Sequence, residues 1–108
     1  MSKRSNVGLV ISKVDFEEIT KPSDNGNAIL RVFDVSDKEN LSETHRFFIW
    51  KNIKWQEICK LMQAIEKLNE DDYLFVRVGN DGVDNFKVLG ELFDNPFGMR
   101  VVHSIKCD

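Results

Sequence analysis

Cysteine is scarce in this 108-residue chain. Cys59 and Cys107 are the only two, with no C-x-x-C spacing, which argues against a disulfide framework and for free thiols in a reducing compartment. Histidine is equally sparse. His45 and His103 lie too far apart to form a ligand pair by spacing, and neither H-E-x-x-H nor G-x-x-x-x-G-K occurs, so no metal or other cofactor is expected. No apolar run approaches the roughly 20 residues that a membrane-crossing helix needs, so no membrane partner is expected. The opening "MSKRSN" has no apolar segment behind it and does not read as a secretory signal. Residues 1–5 are expected to form a flexible basic tail, followed by a single domain over 6–108. An excess of positive charge is missing too. The net charge of −3 and pI near 5.4 argue against bulk attraction to nucleic acid and leave room only for a local basic groove. A nucleophile with its base and orienting partner is also absent. Asp34 and Asp37, or the run from Glu70 to Asp72, read as solvated carboxylates, and no enzymatic activity is expected.

What is present suffices for one soluble core: 42% of residues are hydrophobic and 31% charged, ordinary globular proportions at single-domain length. "VGLVISKVDF" (7–16) alternates as a strand, and "TKPSDNGN" (20–27) has turn composition. "AILRVFDV" (28–35) reads as a second strand, with Leu30 and Val32 on one side and Ile29, Phe33 and Val35 on the other. "SDKENLSE" reads as a polar loop. "ETHRFFIWKN" (43–52) is the third strand, and it is unusual. Alternation points Phe47 and Ile49 one way and Arg46, Phe48 and Trp50 the other, so neither face suits open solvent. A partner subunit, a stacked base or additional core could cover the second face.

After Asn52, a suitable helix N-cap, the residues Trp55, Ile58, Cys59, Leu61, Met62, Ile65 and Leu68 recur at helical spacing. Lys51 and Lys54 at its start and Glu70, Asp71 and Asp72 at its end oppose the helix dipole, which reads either as solvated charge or as an anion site. "YLFVRV" (73–78) is a further strand, and "FKVLGELF" (86–93) with "MRVVHSI" (99–105) reads as a closing hairpin.

The expected fold class is therefore α+β, mainly β: an OB-fold, a five-stranded Greek-key barrel with one helix between strands three and four. Residues 73–78 are either a barrel strand or an added edge strand. The stretches "NAILRVFDVSDKENLSETHRFFIWKN" and "FKVLGELFDNPFGMRVVHSIKCD" resemble the OB domain of the replication protein A middle subunit and its telomere-associated relatives, across roughly 70 residues. Two features depart from that pattern. The span from Asn52 to Asp84 is longer than the family core, and the sequence ends just after the last strand, where the family carries its assembly helix.

The resemblance implies binding of single-stranded DNA or RNA, within a hetero-oligomer of other OB-fold subunits, in the nucleus or alternatively the cytoplasm. Trp50 matches the family's stacking tryptophan, with Phe48 on the same face, and the second family aromatic falls on Phe93 or Phe97. Arg46 and Arg100 are the expected phosphate contacts, with Lys51 and Lys87 behind them. The alternative reading is an OB-like protein-interaction module without direct nucleic-acid binding. It draws on the acidic balance and on Trp55, which would continue a contact surface from Phe48 and Trp50.

Overall fold

The computed structural model describes residues 4–79, 86–92, 95–97, 99–101 and 105–106. The fold is α+β, built on a five-stranded antiparallel sheet in the order β2-β3-β1-β4-β5. The strands are β1 (Arg4–Ser12), β2 (Lys38–Leu41), β3 (His45–Lys54), β4 (Tyr73–Gly79) and β5 (Phe86–Gly90). Helices α1 (Lys13–Ile19) and α2 (Asp24–Asp34) connect β1 to β2, and α3 (Trp55–Ile65) connects β3 to β4. Each helical crossover skips one strand. That connectivity is a split β-α-β unit used twice, the ferredoxin-like arrangement, with β5 added beside β4. β6 (Arg100–Val101) and β7 (Ile105–Lys106) form a separate two-stranded ladder, with β7 in contact with β1.

The element expected as the second strand is corrected. Residues 28–35 are helical through Asp34, because the stretch also carries a helical pattern: Gly26, Ile29, Val32 and Phe33 are buried, while Leu30 and Val35 point outward. Ser23 caps the helix by accepting the Gly26 N–H at 2.9 Å. β1 is central, paired with β3 and β4, and β2 and β5 lie at opposite edges with no ladder between them among the described residues. Residues 73–78 form an interior strand of the sheet. The expected closing hairpin is replaced as well, since β5 pairs with β4 and β6 with β7. Arg4 and Ser5, expected in the tail, belong to β1, and Ser5 is buried. Asn52 is a strand residue with φ 60°, not a helix cap; α3 is capped at Lys54 without a side-chain hydrogen bond.

Both faces of the sheet are core. Val7, Leu9 and Ile11 of β1, Phe48 and Trp50 of β3, and Tyr73 and Phe75 of β4 meet the apolar faces of all three helices. On the other face Val10, Phe47, Leu74 and Val76 are buried under Met99, with Ile49, Val88, Leu92 and Phe97 packed against them. Asn95 shapes that second cover. Its side chain donates to the carbonyls of Leu92 and Met99, both at 3.2 Å, and accepts from the Phe97 and Met99 N–H groups at 3.2 and 2.9 Å. A buried side chain with donors and acceptor all satisfied can hold an otherwise irregular segment against an apolar face. The question raised by the third strand has a structural answer: additional core covers both faces.

Candidate functional site

The aromatic face of β3 is closed by its own chain. Arg46, Phe48 and Trp50 share the helix-side face, as alternation predicts, yet Phe48 and Trp50 are each only 1% exposed. Phe48 lies 4.5 Å from Phe33 and 5.8 Å from Trp50 between ring centroids, and Phe33 meets Phe16 edge-on at 4.7 Å. Such contacts add to burial for each ring pair. The Trp50 indole N–H donates to the Val32 carbonyl at 2.7 Å. That carbonyl lies in the last turn of α2, where carbonyls lack intrahelical partners, and the Val35 and Ser36 N–H groups both turn to Phe33 instead. Trp50 therefore satisfies the end of α2.

Arg46 is similarly engaged. Its guanidinium carbon lies 4.0 Å from the Phe16 ring centroid and 5.3 Å from that of Phe48, and Nη2 is ion-paired to Glu39. A planar cation stacked on aromatic rings suits arginine better than lysine. Lys51 is exposed, and its backbone N–H donates to Asp37 Oδ2 at 2.5 Å. Lys87 is half-buried in β5 opposite Arg77, at the end of a helix-side row running from Trp50 through Val7 and Arg77. Three strand spacings separate Lys87 from Trp50, roughly 14 Å. Phe97 lies on the other face of the sheet, stacked on Phe47 at 5.4 Å. Phe93 lies outside the described residues, and so do the side chains of Trp55 and of Arg100, which belongs to β6. The described members of the expected nucleic-acid surface thus divide between two sheet faces, and their two central rings are sealed.

A different feature faces outward. All four residues of β2 are exposed, Leu41 at 62%. The Ser42 N–H donates to the His45 carbonyl at 2.9 Å, which makes Ser42 and His45 a hydrogen-bonded pair. Antiparallel ladders alternate, so Asn40 and Lys38 turn their backbone groups toward β3 while Glu39 and Leu41 turn theirs away from the sheet. Beside this edge a cleft of about 430 Å³ opens between α2 and β2. Phe16, Phe33 and Phe48 form its floor, and Asp34, Asp37 and Glu39 stand on its rim. Sequence reading missed β2 because "KENL" has the composition of a loop. Charged residues are also how exposed edge strands are protected from indiscriminate pairing, and a short polar segment one turn before an aromatic strand was the available signal.

Among the described residues no group of three or more His, Cys, Asp or Glu side chains could hold a metal ion, and no helix is long and apolar enough to cross a membrane. Tyr73, buried beneath α3, has its hydroxyl pKa raised by desolvation first and then by the nearby Glu70 and Glu66 carboxylates. No protein-family model, curated protein or solved structure matches the chain.

Proposed function

We propose that this domain is a protein-interaction module whose β2 edge receives an extended segment of a partner chain. The observation carrying this reading is the outward backbone of Glu39 and Leu41, two N–H and two C=O groups beside an exposed leucine and the cleft between α2 and β2. Strand addition draws affinity from such main-chain groups, each hydrogen bond contributing about 0.5–1.5 kcal/mol net, and specificity from pockets beside the edge. Among the described residues no strand pairs with the outer side of β2, which leaves its edge available for strand addition. The polynucleotide reading implied by the family resemblance needs accessible ring faces. A stacked base contributes about 1–3 kcal/mol only where it can reach the ring, and Phe48 and Trp50 are 1% exposed in a chain of net charge −3.

Leu41→Pro tests the proposal directly. Proline removes an outward N–H without deleting a β2–β3 ladder bond, so the fold should persist with an unchanged circular dichroism spectrum. Peptides selected from a random display library on the native domain should bind it and lose at least tenfold in affinity for the variant. Equal binding to both would reject strand addition. Saturable oligothymidine binding at micromolar protein, weakened by Arg46→Ala, would return the assignment to nucleic acid.

A further inference from the structure

A second groove lies on the helical side, remote in character from the β2 edge. It encloses about 440 Å³ where the end of α1, the start of α2 and the last turns of α3 converge. Its apolar lining comes from all three helical segments: Ile19, Ile29, Ala64 and Leu68, of which all but Ile29 are only partly buried. Its charge is asymmetric. Glu18 is ion-paired to Lys21 at 2.8 Å, whereas Lys60 and Lys67, both exposed on the rim, have no ion-pair partner among the described residues. In a chain of net charge −3 the groove is therefore bordered by two ammonium groups that no ion pair engages among the described residues.

We infer that this groove docks an amphipathic helix of a partner protein through apolar anchors flanked by carboxylates. Lys60 and Lys67 are seven residues apart, and the backbone continues turning past α3, with the Lys67 and Leu68 N–H groups donating to Ala64 and Ile65. Seven residues of helix rise about 10 Å, so a helix lying alongside α3 meets both lysines with acidic residues at i and i+7. Its residues at i+3 and i+4 then face the apolar lining between them, the spacing of helix-in-groove recognition. Complementary charge selects acidic partners and disfavours basic ones.

The test uses the 108-residue chain, isotopically labelled for amide NMR, and a synthetic 15-residue helical peptide with Glu at i and i+7 and Leu at i+3 and i+4. Titration should shift amides of residues 18–29 and 60–68. The double substitution Lys60→Glu with Lys67→Glu should weaken binding roughly tenfold, about what two exposed ion pairs supply. Ala64→Arg, which fills the groove while leaving both lysines in the chain, should abolish it, and thermal melts of both variants verify folding. Leu41→Pro should leave this binding unchanged, separating it from the β2 edge. The inference is overturned by an affinity insensitive to the lysine substitutions, by equal binding of a peptide with Lys in place of Glu, or by shifts confined to residues 38–41. Dodecanoate producing the same shifts at lower concentration than the peptide would make the groove a lipid site and overturn it equally.

Discussion

Trp50→Phe separates a structural indole from a ligand platform. The substitution keeps an aromatic ring in the layer with Phe33 and Phe48 but removes the N–H that the Val32 carbonyl accepts at 2.7 Å. Leaving a buried carbonyl without a partner costs about 1–3 kcal/mol. The smaller ring leaves a void of roughly 40 Å³, adding about 1 kcal/mol at ~24 cal/mol per Å³. The expected loss is therefore about 2–4 kcal/mol, a large fraction of a small domain's typical ~5–15 kcal/mol yet short of abolishing folding. Urea unfolding followed by far-ultraviolet circular dichroism measures it. With a slope of roughly 1–3 kcal/mol/M, the midpoint should fall by about 1–2 M while the slope stays unchanged. In a Trp55→Phe background, where Trp50 is the remaining indole, acrylamide should quench its fluorescence poorly until the chain unfolds. A stability change below about 0.5 kcal/mol, the level of ordinary surface substitutions, together with ready quenching, would refute the buried role.

Two further predictions concern β4 and its neighbour. Because the Tyr73 pKa is raised above its ordinary 10.0 in the folded state, the unfolded state ionises first as pH rises. Stability should hold below pH 10, then fall as pH climbs toward the folded pKa, and Tyr73→Phe should flatten that decline in urea midpoints measured from pH 8 to 11; parallel curves for the two proteins would contradict it. Gly90 has φ 85°, and a Cβ there would stand 2.2 Å from the Tyr73 carbonyl oxygen, so Gly90→Ala should cost at least about 2 kcal/mol. A thermal melt should register this as a drop of roughly 10 °C, given about 4–8 °C per kcal/mol in a domain of this size.

Local pattern carried much of the fold. The alternation around Phe47 and Trp50 assigned each residue to the face it occupies, and the apolar spacing from Ile58 to Ile65 located α3. Residues 73–78 and 7–12 also read correctly as strand, whereas 13–16, expected to continue that first strand, are helical in α1. The failures came where one stretch fits two periods. In residues 28–35 a run of Ile, Leu, Val and Phe satisfies alternation and helical spacing alike, and what separates them is which side chains find a core. The helix puts Ile29, Val32 and Phe33 together over β3 and leaves Leu30 and Val35 outside, a selection visible only once β3 is in place.

The same distinction governs the candidate sites. The aromatic and cationic residues of β3 are written in the sequence, but exposure belongs to the pair of surfaces and not to the strand: α2 covers Trp50 and supplies the carbonyl that its indole needs. The β2 edge and the groove of Lys60 and Lys67 join segments separated along the chain, so no short window contains either. By itself the sequence determined the composition of a single α+β core, the faces of its central strands and the position of α3, because these follow from side-chain periodicity. Only the tertiary structure decided which aromatics are sealed and, among the described residues, which strand lies at an edge and which lysines lack ion-pair partners, because burial and pairing are set by what packs from elsewhere in the chain.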